Sequence, residues 1–164
     1  MKKYFEIIKA QNKETKFCFV YLDDDKIPEL LIFDGDYNAA GARIYWYKSG
    51  KIKSSEYAYG YMGNFRYVEK GGYFYDESFG QGAIDETYYS FKNGKIKQLI
   101  ELFNDGGAAL DKETYMINGK ETTEAKYRKA CKKYENHKWS GVGYNNGTFS
   151  CSSAELWNFR SYIK

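Results

Sequence analysis

The sequence predicts an α+β fold: an antiparallel meander sheet with an N-terminal helix and two C-terminal helices. Three observations carry this. Apolar residues recur at helical spacing at both ends of the chain, two short runs near the N-terminus are apolar throughout, and a long central region consists of aromatic runs separated by glycine turns. The length of 164 residues suits one domain over 1–164 that buries a core without staples.

In order along the chain, Tyr4, Ile7, Ile8 and Gln11 lie on one helical face within residues 3–11, and Asn12-Lys-Glu-Thr15 ends the pattern. Phe17 to Leu22 and Glu29 to Phe33 then read as strands, apolar on both faces and therefore central in a sheet covered on each side. They are joined by Asp23-Asp-Asp-Lys-Ile-Pro28, an acidic turn closed by the only proline. From Arg43 to Asn104 the turns Lys48-Ser-Gly50, Lys70-Gly-Gly72 and Asn93-Gly94 have the chemistry that hairpins need, because positive φ is cheap at these residues. Six to eight strands are expected in all. The segments Tyr45 to Lys53 and Tyr89 to Lys97 echo one another as aromatic strand, Lys-x-Gly turn and Lys-Ile-Lys return, as two hairpins with the same turn do.

Tyr115 to Ile117 reads as a short strand leading through Asn118-Gly119 to a helix opened by Thr122 or Thr123. Its apolar face is Tyr127, Ala130, Cys131 and Tyr134, with Lys126, Lys129 and Lys133 opposite as a solvated basic stripe. Residues 136–150 read as a loop rich in glycine and asparagine. Ser152-Ser-Ala-Glu155 is a capping box ahead of a last helix over 156–163.

Composition excludes several classes. Aromatics at 20% and a single proline argue against disorder, and a net charge of +3 spread along the chain gives no footprint for specific nucleic-acid binding. No apolar run is long enough to span a membrane, and Met1-Lys-Lys is not followed by the apolar stretch of an export leader. A chain starting just after a cleaved leader would open in the same way. Three cysteines are too few for a disulfide framework and lack metal-site spacing. Cys18 reads as a buried hydrophobe, which leaves Cys131 and Cys151 as the pair that would bridge in an oxidising compartment.

Two constellations bear on chemistry. Asp23 and Asp25 point the same way if strand geometry persists, and Glu29 returns from the next strand, an oxygen set of the kind that takes calcium. The other reading is a solvated turn in which Lys26 neutralises the carboxylates. Tyr57, Tyr59 and Tyr61 alternate with Ala58 and Gly60, a tyrosine ladder suited to sugar rings, with Trp46 as a fourth aromatic. The alternative places these rings in the core. Catalytic signatures are weak. His137 and Cys131 do not share a helical face, the neighbours Asp76 and Glu77, like Asp85 and Glu86, diverge in a strand, and Gly80-Gln-Gly82 is a turn.

Tyr-Leu-Asp-Asp-Asp-Lys-Ile-Pro-Glu-Leu-Leu-Ile, within residues 19–32, resembles the D-I-D-G-D-G-x-P-E-L-x-I element of poorly characterised secreted or lipid-anchored domains of Gram-positive gut bacteria. That element is itself similar to the calcium loops of FG-GAP/VCBS-type repeats. Tyr21 stands where that pattern has its first aspartate, and Asp24 and Lys26 where it has glycines. The resemblance brings no activity with it; the leading expectation is a non-catalytic binding or accessory domain of a bacterial secreted or cell-surface protein, engaging glycan through its aromatic face or a protein partner. A small cytoplasmic protein-binding or inhibitor domain is the alternative, and a carboxylate-dependent hydrolase the third.

Overall fold

The computed structural model describes residues 2–33, 41–60, 62, 64–80, 82–106 and 113–151. The last predicted helix, at 156–163, and Tyr61 lie outside these residues. The elements run α1 (Lys2–Lys9), β1 (Lys16–Val20), β2 (Glu29–Phe33), β3 (Ala42–Lys48), β4 (Lys51–Tyr59), β5 (Asn64–Val68), β6 (Tyr73–Gly80), β7 (Ala83–Lys92) and β8 (Lys95–Asp105). They continue with β9 (Thr114–Ile117), β10 (Lys120–Thr122), α2 (Glu124–Glu135), β11 (Trp139–Gly143) and β12 (Phe149–Ser150).

All strand pairings among the described residues are antiparallel, but they form two sheets where the sequence predicted one. The first has the order β12-β1-β2-β3-β4 and the second β10-β9-β8-β7-β6-β5-β11. The central meander is therefore divided after Tyr59. Gly60 sits there at φ +92°, and a Cβ on it would lie 2.1 Å from the Asn64 carbonyl oxygen, so only glycine allows the chain to cross between sheets at this point. The two echoing hairpins, β3–β4 and β7–β8, fall in different sheets.

Three apolar clusters define the layers. The largest lies between the sheets and joins Val20, Leu31, Phe33, Ile44 and Trp46 of the first to Phe65, Phe74 and Phe91 of the second. Tyr4 and Ile8 of α1 cover the outer face of the first sheet against Phe17, Leu30 and Ile32. Tyr127 and Tyr134 of α2 cover the outer face of the second against Tyr88, Leu102 and Tyr115. β2 is thus apolar on both faces because both are covered, and all five of its residues are buried. Thr123 caps α2 by accepting from the Lys126 N–H, which settles the choice between Thr122 and Thr123.

Residues 136–150 are more ordered than their composition predicts. β11 pairs along β5 from Trp139↔Val68 to Gly143↔Asn64, and β12 pairs with β1. Glycine-rich edge strands carry little local signal, and their register comes from the sheet they join. Cys131 and Cys151 lie on the outer faces of different sheets and do not bridge. No helix among the described residues is long and apolar enough to cross a membrane.

Candidate cation site at the acidic turn

The acidic turn is shaped by its own side chains. Asp23 Oδ1 accepts from the Asp25 N–H at 3.2 Å and Asp25 Oδ1 from the Ile27 N–H at 2.7 Å, two successive aspartate turns that fold the segment back on itself. Glu29 Oε2 accepts from the Leu22 N–H at 2.8 Å and closes the loop from the far side. The second sheet anchors the approach to the turn: the Lys70 and Gly72 N–H groups donate to the Tyr21 and Leu22 carbonyls, each at 2.7 Å.

Carboxylate oxygens of Asp23, Asp25 and Glu29 lie within 4.8 Å of one another. Oxygens sharing one calcium ion at 2.3–2.6 Å can stand no more than about 5 Å apart, so the set fits such an ion. Glu29 is only 3% exposed. Burial pushes its carboxyl up to about 8, reinforced by Asp23 and Asp25 and opposed by the Leu22 N–H. Burial also raises Asp23, while Lys48 of β3 pulls it the other way. The lysine whose charge lowers Asp23 is Lys48, not the Lys26 expected from the sequence. A buried carboxylate crowded by two others is the arrangement a hard divalent cation relieves.

The cleft around these residues has a volume of about 80 Å³ and continues past Trp46, Tyr47 and Lys48 to the Asn93-Gly94 turn of the second sheet. The Leu30↔Tyr45 pairing of β2 with β3 brings Trp46 alongside Glu29. Trp46 is 8% exposed, and its Nε1 is buried without a hydrogen-bond partner.

The tyrosine ladder does not form as one face. Tyr59 is 8% exposed and stacks edge-on against Phe74 and Tyr89 in the core, whereas Tyr57 is 64% exposed. The cause is a bulge in which Ile44 of β3 faces three residues of β4, between Arg43↔Ala58 and Tyr45↔Ser54. Ser55 holds it together: its Oγ accepts from the Ile44 N–H at 3.0 Å and donates to the Tyr57 carbonyl at 2.7 Å.

The acids of the central meander, which the sequence offered only as diverging neighbours, are paired across a hairpin. The β6–β7 hairpin sets Glu77 opposite Glu86, and Ser78 opposite Asp85. Asp76 and Asp85 therefore line one cleft of about 250 Å³ with Ser78, Thr87 and Gly60, and Glu77 also borders it. Burial raises both, and Asp76 accepts from the Gly60 N–H at 3.0 Å. Counting outward from the Gly80-Gln-Gly82 turn would have found the pairing. Burial raises the Cys131 thiol, and the His137 ring stacks on Tyr73 at 4.9 Å.

The fold and site together define two packed antiparallel sheets, flanked by helices, with an oxygen-rich turn at one end of the interface between them. No known protein family, curated protein or solved structure matches this chain.

Proposed function

We propose that this chain is a non-catalytic binding or accessory domain of a bacterial secreted or cell-surface protein, with a calcium ion held by Asp23, Asp25 and Glu29. One observation carries the reading: three carboxylates converge within 4.8 Å around a buried Glu29 that is fixed in place by the Leu22 N–H. The ion neutralises the cluster and stiffens the connection between two buried strands, so that the rims around it keep their shape. Its test is a thermal melt of EDTA-treated protein with and without calcium. A ligand that binds only the folded state stabilises it by about 2.7 kcal/mol at a hundredfold excess over Kd. The expected result is a rise of several degrees that disappears in Asp23→Asn/Asp25→Asn; an unchanged melt of the unaltered protein would reject the reading.

The Asp76–Asp85 cleft favours a second reading, carboxylate-dependent hydrolysis. Under it, chromogenic aryl glycosides are turned over by the unaltered protein and not by Asp76→Asn or Asp85→Asn. Absence of turnover across a glycoside panel removes it.

A further inference from the structure

We infer that the cleft between the acidic turn and the Asn93-Gly94 turn is a sugar site. It takes the edge of one ring through two adjacent hydroxyls, one on the cation at Asp23, Asp25 and Glu29 and the other accepting from the Trp46 indole N–H. This rests on the calcium reading above and names the ligand class of the same site.

The independent observation is Trp46. Its Nε1 is a buried donor with no partner, a costly condition that points to a missing acceptor. Trp46, the three carboxylates and Gly94 line the same cleft, and a Cβ on Gly94 would lie 2.6 Å from that nitrogen. Glycine is thus what keeps a side chain from capping the indole. The turn that holds Asn93 and Gly94 at φ 55° and 64° covers the nitrogen, so the proposed hydroxyl enters by displacing that turn.

Charge, shape and size select the ligand. Asp24 adds a fourth carboxylate to the lining, so the cleft stays net negative after a divalent cation and Lys48 are counted, which repels anions and suits neutral hydroxyls. The Asn93 amide in the lining can both donate and accept. A volume of about 80 Å³ has room for several waters at roughly 10–15 Å³ each, which matches one edge of a ring rather than a whole sugar. A free monosaccharide and the terminal residue of a polysaccharide share this chemistry.

The test is isothermal titration of the full chain with D-mannose, D-galactose, D-glucose and mannan, in calcium and in EDTA, beside the calcium melt. Binding is expected only with calcium, lost in Trp46→Phe and weakened about tenfold in Asn93→Ala, the loss of roughly one hydrogen bond. The calcium-only melting shift stays in both variants. Binding of free sugar assigns a monosaccharide ligand; binding of mannan alone assigns a chain end. A calcium shift with no response to any sugar overturns this inference and leaves the calcium reading standing, whereas no calcium shift rejects the calcium reading first. Sugar binding that survives EDTA or Trp46→Phe overturns the bridging. Asn93 is exposed, so its variant keeps the test open should Trp46→Phe fail to fold.

Discussion

The acidic turn and the β6–β7 hairpin are both rich in carboxylates raised by burial, and they arrange them in opposite ways. In the turn, aspartate side chains bind backbone N–H groups two residues on, which curls the chain and brings Asp23, Asp25 and Glu29 together. In the hairpin, strand alternation sends Asp76 and Asp85 to one face and Glu77 and Glu86 to the other. Four carboxylates in a regular ladder therefore yield two pairs, while three in an irregular loop yield one focus. Acid density alone does not make a cation site; the backbone path decides.

The comparison breaks most sharply at Gly60, whose N–H holds Asp76. Gly60→Ala must relieve both a positive φ and a backbone clash, so a loss of about 3 kcal/mol is expected by urea denaturation. The same change at Gly119, also at positive φ but with nothing within 4 Å of the added carbon, should cost about 1 kcal/mol. A smaller effect separates the two acid groups by calcium response: Asp76→Asn/Asp85→Asn keeps the calcium shift of about 2.7 kcal/mol at a hundredfold excess, and Asp23→Asn/Asp25→Asn loses it. Equal loss in both would mean that the hairpin also binds the ion.

The remaining expected effect is a slope with pH. Glu29 titrates near 8 in the folded chain and near 4.5 when exposed, so between these values the folded state holds the extra proton. The Glu29 contribution to the stability of EDTA-treated protein is therefore full below the exposed value and falls as pH rises toward 8, by no more than about 1.4 kcal/mol per pH unit for one proton. Glu29→Gln should flatten that slope, and a slope unchanged by it would place the titration elsewhere.

Much of this was legible in the residues. The run Leu30 to Phe33 is apolar without alternation, and it lies in a strand buried on both faces. The Tyr127, Ala130, Cys131, Tyr134 spacing gave the helix and its packed side, and the turns at Ser49-Gly50 and Asn93-Gly94 fall where positive φ is found. The carboxylate triad spans seven residues and was legible because its geometry is local. What escaped was non-local. The division of the meander into two sheets, the pairing of β11 and β12, and the approach of Lys48, Trp46 and Asn93 to the acidic turn all join residues far apart in the chain.

The sequence by itself determined the mostly antiparallel strands, the two described helices and the curl of Asp23 to Glu29, because propensity, capping and aspartate turns act over a few residues. Only the tertiary structure decided which aromatic rings were left to bind anything. The bulge at Ser55 turned Tyr57 to solvent and left Tyr59 in the core, and the packing of the two sheets placed the Trp46 indole beside the carboxylates. Such choices depend on register and on which surfaces meet, and these are set by burying apolar area between distant segments.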